Sequence, residues 1–393
     1  LRGENELILL CARAPVEEPT TQRIQSLIGS AKEFDWEYIY RLARRHAVLP
    51  LVYSQLQAAA AGIPPDHLAR FKKQFQDNVA RNLFLTAELC GILQTFAAAG
   101  IEAVPYKGPA LAIYAYRNLA LRRFVDLDIL VRKADVLRAK EVLEAGGFVC
   151  ATQWTSAQQE LLLHTQHNLP LSRDQGRLVV ELHWEVASRL FATSFQAEEF
   201  WGRLGKIRLN DFEVKCLSAE DLLLSLCVHG SKHLWERLAW ICDVAEIVRA
   251  RPEIDWELLF TRAAATGSQR MLLLGLRLAN TMLDAPLPGH LMSKLENDSV
   301  VTALANDVVK RTFSGSEAIA ITISDSLKFN WAVREDWRSR LRYFRLLFQP
   351  TDADIAALTL SRALRFVYYL RRPFALLGRD RERREAAATA RGK

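Results

Sequence analysis

The stretch Val125-Asp126-Leu127-Asp128-Ile129-Leu130-Val131 decides how the chain is read. Apolar and acidic residues alternate at its start and an apolar run closes it, the pattern of a strand passing into a core. Residues two apart on a strand point to the same side, so Asp126 and Asp128 present their carboxylates together. Two adjacent carboxylates repel, and burying them without a cation is costly. A hard divalent ion bridging them resolves the conflict. An exposed edge strand with two solvated acids is the other reading that this spacing alone allows.

Upstream, Ile101 to Tyr106 is a short β-like run that ends in Lys107-Gly108-Pro109, and a helical segment follows to Tyr116. Gly108 therefore falls between a strand and a helix, where a backbone without Cβ lets a phosphate approach the first free N–H groups. Lys107 and Arg122 can add positive charge to the same phosphates, although a solvated turn accounts for Arg122-Arg123 equally well. Downstream, Ala134 to Ala145 is helical and stops at Gly146-Gly147. His167–Leu171 and Leu178–Trp184 read as two strands around the turn Arg173-Asp174-Gln175-Gly176. The second of them carries a third acid, Glu181, with His183 on the same face; His164 and His167 are weaker pocket candidates.

The flanks are helical. Asp35-Trp36 opens one helix, and Pro64-Pro65 opens a long one that stops at Gly100. Ser218-Ala219-Glu220-Asp221 has the form of a helix cap, and the chain is helical beyond it. The expected fold class is α+β: an N-terminal helical region over 1–100, a core with a small mixed β-sheet over 101–215, a C-terminal helical region over 216–375 and a basic flexible tail over 376–393.

Composition narrows the function classes. The chain has 393 residues, half of them hydrophobic and a quarter charged, as in a soluble globular protein. No apolar run approaches the roughly 20 residues of a membrane span, and Leu7 to Cys11 is too short for the core of a signal peptide. The six cysteines are scattered with no CxxC spacing, which predicts small buried hydrophobes and a reducing, cytoplasmic compartment. The net charge of +7 lies wholly in Arg362–Lys393, which holds ten basic and three acidic residues. The remaining body is neutral, so no stable DNA binding is expected, and the tail is expected to be dispensable.

Several stretches carry a resemblance. They are Tyr106-Lys107-Gly108-Pro109-Ala110-Leu111, Leu119-Ala120-Leu121-Arg122-Arg123-Phe124 running into the Asp-x-Asp strand, Val180-Glu181-Leu182-His183-Trp184, and His229 through Asp243. Asp35-Trp36 with Ala43-Arg44-Arg45-His46 upstream, and Asp255-Trp256 with Gly275-Leu276-Arg277-Leu278-Ala279 downstream, extend it to roughly residues 20–290. In this order they resemble the uncharacterised bacterial nucleotidyltransferase family of the DNA polymerase β-like superfamily.

The resemblance implies a metal-dependent nucleotidyltransferase. It would move a nucleoside monophosphate from an NTP, ATP being the expected one, to a hydroxyl or similar acceptor on a small molecule, protein or RNA. It implies Asp126, Asp128 and Glu181 as catalytic residues and ligands of Mg²⁺ or Mn²⁺. It implies Lys107, Gly108, Arg122, His183, Lys232 and His233 as nucleotide-binding residues. The chain departs from the wider superfamily at Gly108-Pro109, where Gly-Ser or Gly-Gly is usual, and at Glu181, where Asp is usual. Two rivals stand beside this reading. One is a nucleotide-binding protein that kept the fold without turnover, against which three retained acids speak. The other is a toxin-like tRNA-modifying enzyme, against which the neutral body speaks.

Positions 229, 233, 236, 240 and 243 step by four, three, four and three, which places His229, His233, Glu236, Trp240 and Asp243 on one helical face. Gly230 stands where a zinc helix of the HExxH type needs Glu, so zinc is disfavoured. Two readings remain: an interior histidine supported by Asp243, or a wall of the nucleotide pocket. Lys232 either reaches a phosphate or is solvated. Trp184, Trp235 and Trp256 are expected to fill core.

Overall fold

The structure, a computed structural model, describes residues 2–30, 34–59, 62–188, 191, 200–314, 322–351, 354–355, 366–367 and 369–370. The tail expected over 376–393 lies outside the described residues. Five helices come first: α1 (Gly3–Cys11), α2 (Glu18–Ser30), α3 (Trp36–Arg45), α4 (Leu49–Ala59) and the long α5 (Pro65–Ala98). Asp35 caps α3 by accepting a hydrogen bond from the Tyr38 amide at 2.8 Å, which satisfies one of the free N–H groups of the first turn. Pro65 occupies the first turn of α5, and Gly100, at φ +69°, turns the chain out of it.

The core then alternates short strands and helices: β1 (Ala103–Pro105), α6 (Gly108–Tyr116), β2 (Leu127–Val131), α7 (Val136–Ala145), β3 (Val149–Cys150), α8 (Ser156–Thr165), β4 (Asn168–Arg173) and β5 (Leu178–His183). The strands form one mixed sheet in the order β1-β2-β5-β4-β3. Only β2 and β5 run parallel; the other pairs are antiparallel. The turn between β4 and β5 is made by Asp174, Gln175 and Gly176, all at positive φ. A separate hairpin, β6 (Gly205–Leu209) with β7 (Phe212–Cys216), follows.

Alternation along the strands gives the sheet two different faces. Leu127, Ile129, Val131, Leu169, Leu171, Val180 and Leu182 join one buried cluster with Leu85, Leu89 and Phe96 of α5. The intervening Asp128, Asn168, Glu181 and His183 turn to the other face. Burying the apolar side of the sheet under α5 is the driving force that fixes the register, and that register leaves the polar residues together.

The C-terminal helices are α9 (Ala219–Lys232), α10 (Leu238–Ala250), α11 (Trp256–Ala265), α12 (Gln269–Leu283), α13 (Gly289–Asn297), α14 (Ser299–Phe313), α15 (Ile323–Ala332) and α16 (Trp337–Leu346). Ser218 caps α9 through the Asp221 amide. Buried residues of α1 to α4 and of α9 to α14 belong to one apolar cluster. His46, fully buried, ties three parts of it. Its Nε2–H donates to the Thr312 carbonyl at 3.0 Å, its Nδ1 accepts from the Leu238 amide at 3.2 Å, and its own carbonyl accepts from the Ala239 amide at 3.1 Å. No described helix is long and apolar enough to cross a membrane.

One expectation is corrected here. Residues 229–243 do not lie on one helical face, because the helix breaks between α9 and α10. Leu234 and Trp235 take left-handed φ of 55° and 53°. The cause is packing. The Trp235 indole, 1 % exposed, folds back against Gly230 and Gly275. A Cβ on Gly230 would stand 2.5 Å from that ring, so only glycine admits it.

Candidate active site

The polar face of the sheet gathers the acids. Asp128 and Glu181 are register partners across β2 and β5, and His183 sits two residues beyond Glu181 on the same side. The ligand atoms of Asp128, Glu181 and His183 all lie within 4.8 Å of one another. His183 Nε2 is 3.0 Å from Asp128 Oδ1 and 3.2 Å from Glu181 Oε2, while its Nδ1 is 3.2 Å from the Tyr106 hydroxyl. A proton on Nε2 therefore points between two carboxylates. Asn168 Nδ2 donates to Glu181 Oε2 at 2.8 Å and holds that carboxylate in place.

Asp126 stands one residue ahead of β2, half-buried, and is not among the three residues whose ligand atoms converge, but it is near enough to feel the charges of Asp128 and Glu181. Burial, together with the charges of Asp128 and Glu181, pushes its carboxyl above the usual range. Asp128 goes the other way. Burial opposes its ionisation, but Lys107 and the hydrogen bond from His183 hold it well below the usual carboxylate range. The hydrogen bond from His183 likewise lowers Glu181. Burial disfavours the charged form of His183, yet its bonds to Asp128 and Glu181 outweigh that and raise it. Asp128 and Glu181 thus share one imidazole, Lys107 pairs with Asp128, and Asp126 shows the surplus of negative charge. That surplus, with two carboxylates and an imidazole converging on one point, is the donor set a divalent cation takes.

Lys107 and Gly108 flank this cluster from the start of α6. Lys107 Nζ is 3.2 Å from Asp128 Oδ1, which puts the N-terminus of α6 beside the acids. Gly108 adopts φ +54°, and a Cβ there would come within 3.4 Å of the Asp126 carbonyl oxygen. The glycine thus serves both a left-handed turn and a close approach to the backbone that carries Asp126.

Lys232 and the histidines of α9 join the cluster through His167, whose ring centre is 6.1 Å from that of His183. Lys232 Nζ lies 3.3 Å from His167 Nε2. Burial and the charge of Lys107 lower Lys232; burial and Lys232 lower His167. His229, His233 and Trp240 stack against one another, with ring centres 4.6 Å, 5.4 Å and 5.3 Å apart. Burial keeps His233 at a pKa of about 4, so these rings are neutral near pH 7.

Arg122 is engaged elsewhere than on an open cleft. Its Nε and Nη2 donate to the two carboxylate oxygens of Asp243 at 2.8 Å and 2.9 Å, and the Tyr116 hydroxyl adds a third bond at 2.7 Å. Asp243 therefore supports Arg122 and Tyr116, not the histidines, and it ties the 117–126 loop to α10. The same loop is fastened to α5: Asn78 donates to the Ala120 carbonyl, Asn82 to those of Leu119 and Arg122, and Arg81 to that of Val125. Asn78 and Asn82 are spaced i, i+4 on α5, a polar pair that was the available signal. Tyr106 and Asn168 had no comparable mark and His167 only a weak one, since only the folded sheet brings them to the acids.

A search of curated proteins and of solved structures returns no match. A family model described as "Uncharacterised nucleotidyltransferase" matches residues 32–284, from the start of α3 to the end of α12. The match contains Lys107, the three acids, His183 and the Arg122–Asp243 pair, and it spans well over half of the sequence; the chain belongs to the uncharacterised nucleotidyltransferase family.

Proposed function

We propose that the chain moves a nucleoside monophosphate from an NTP to a hydroxyl of an acceptor, with Asp126, Asp128 and Glu181 holding Mg²⁺ or Mn²⁺. The observation that supports it most is the register pairing of Asp128 with Glu181, with Asp126 alongside and raised by their charge. A bound divalent ion would supply positive charge to the attacking and leaving oxygens. The chain's own groups do the rest. Lys107 and the N-terminus of α6 face the phosphates and offset the charge on departing pyrophosphate. Glu181, anchored by Asn168, keeps its carboxylate in a fixed position as a ligand. Lys232 and His233 close the other side of the pocket. The acceptor oxygen forms a bond to the α-phosphorus as the bond from that phosphorus to the β-phosphate bridging oxygen breaks. The hydroxyl proton passes to a carboxylate of the cluster.

Among the described residues no third ligating group joins His229 and His233, whose rings pack on Trp240; this favours a nucleotide pocket wall over a cation site at that position. Incubation with each α-labelled NTP, Mg²⁺ or Mn²⁺ and cell extract tests the proposal. Label on a molecule other than free nucleotide is expected, ATP being the expected donor. Absence of transfer with every NTP, metal and extract would overturn it.

A further inference from the structure

A cavity of about 50 Å³ is lined by Tyr116, Arg122, Arg123, Arg237, Trp240 and Asp243, among others. Arg44 of α3 and Arg81 of α5, both exposed, stand outside the lining but near enough to act on Arg123 by charge. Most arginines elsewhere meet acids, as in Arg132–Glu102, Arg173–Glu88, Arg262–Asp221 and Arg270–Asp298. Among the described residues no acid forms an ion pair with Arg44, Arg81, Arg123 or Arg237. Arg123 is depressed by partial burial and by the charges of the other three. Asp243 lines the same cavity but is taken by Arg122 and Tyr116. The four exposed guanidinium groups, from α3, α5, the 117–126 loop and the residue before α10, have no acid of their own, and an anion would offset their mutual repulsion.

The place of the cluster gives the anion a role. Tyr116 is the last residue of α6, and Gly108 the first, so the cavity lies about 12 Å from the turn that faces the triphosphate. The chain that lines it runs on to the acids. Arg123 precedes Asp126 by three positions, and Arg81 holds the Val125 carbonyl at 3.0 Å. Arg237 lies over the Trp240 ring at 5.7 Å, and that ring touches His233 in the pocket wall. Guanidinium forks match phosphate oxygens in pairs, and a half-buried indole offers a face for stacking.

We propose that Arg44, Arg81, Arg123 and Arg237 form a second anion subsite that holds a phosphate of the acceptor, apart from the triphosphate cradle. This rests on the nucleotidyltransferase reading for the word acceptor, but not for the binding itself. The acceptor is then a phosphate-bearing molecule whose reacting hydroxyl lies roughly one α6 length from the gripped phosphate. Its phosphate is either a monoester of a small molecule or part of a polynucleotide backbone.

Binding of two probes to the full chain separates these sources: a short fluorescein-labelled single-stranded RNA, and ribose 5-phosphate. Each is titrated into the wild type, the double variant Arg123→Gln/Arg237→Gln and the charge-keeping Arg123→Lys/Arg237→Lys. A non-hydrolysable ATP analogue with Mg²⁺ is titrated in parallel. The expected result is a loss of about tenfold or more in affinity for at least one phosphate probe in the Gln variant, partly restored by Lys. Affinity for the ATP analogue should change by less than about twofold. A loss confined to RNA, steepened at low salt, assigns a polynucleotide; a loss for ribose 5-phosphate assigns a monoester. Equal affinity of wild type and Gln variant for both probes overturns the proposal. So does an equal loss for the ATP analogue, which would make the cluster part of the triphosphate site. A wild type that binds the phosphate probes through these arginines but never the ATP analogue would leave this subsite standing and sink the nucleotidyltransferase reading instead.

Discussion

Asp128 and Glu181 are register partners on the one parallel strand pair of the sheet, and a single imidazole nitrogen, His183 Nε2, bonds to both carboxylates. The pairing follows from the apolar residues between them. Leu127 and Ile129, with Val180 and Leu182, bury under α5, and a shift by one residue would expose all four. The acids are thus aligned by the hydrophobic face behind them, which is why so costly an arrangement is held.

That cost is testable at Asp126. Its carboxyl is raised by burial and by its two acidic neighbours, so in the metal-free protein the native state favours its protonated form. Stability from this group is gained as pH falls through the raised value and lost above it. Asp126→Asn should therefore raise the thermal midpoint of the metal-free protein at pH 7.5 by a few degrees, as about 1 kcal/mol does in a large domain. The same variant should lose the stabilisation that Mn²⁺ gives the wild type. A lower midpoint in the metal-free variant would show that Asp126 is a structural acid with partners of its own.

Gly108 should tolerate no side chain. Alanine at φ +54° costs about 1–2 kcal/mol, and its Cβ presses on the Asp126 carbonyl oxygen. Gly108→Ala is expected to fold but to bind an ATP analogue at least about tenfold more weakly. Gly91→Ala, in α5 with open space around it, serves as the control: it should leave nucleotide affinity unchanged and add roughly 0.5–1 kcal/mol of stability as a helix-interior substitution. Equal nucleotide affinity in both variants would remove the turn from the binding site.

The fold was legible in the sequence where a local signal and burial agreed. The cap at Asp35, Pro65 at the start of α5, the turn at Asp174-Gln175-Gly176 and the two faces of β2 and β5 could all be read from residue type and period. The helix break at Leu234-Trp235 was not. The spacing of His229, His233 and Trp240 fits a helix, and the slot that draws Trp235 out of one is built by Gly230 together with Gly275, forty residues downstream. Spacing still brought the three rings together, by a different path. At the site, three acids, Lys107 and His183 were visible as motifs. Tyr106, Asn168 and the binding of Arg122 by Asp243 depend on contacts between distant segments, which no window of sequence contains.

His46 shows the same limit and carries a pH prediction. It is buried, with both ring nitrogens used, and burial pushes its pKa down to about 4 despite the Thr312 carbonyl. Its unfolded value is near 6.5. The neutral form is the native one, so its contribution is complete above pH 6.5 and is lost as pH falls toward 4. The loss amounts to about 3 kcal/mol at most. Denaturant unfolding of the wild type should show this limb between pH 6.5 and 4. His46→Ala should be less stable at pH 7.5 and should lack that part of the slope. An unchanged slope in His46→Ala would place the acid sensitivity in other groups.

The central claim is that the carboxylates on the polar face of the sheet carry metal-dependent transfer, and Asp128→Asn tests it most directly. Asparagine keeps the shape and removes one negative ligand. With the labelled NTP and extract that support transfer by the wild type, the initial rate of the folded variant should fall by at least about a thousandfold, near 4 kcal/mol of transition-state stabilisation. Metal-free nucleotide binding should change far less, because Lys107 and the Gly108 turn remain. Transfer by Asp128→Asn at the wild-type rate would contradict the account.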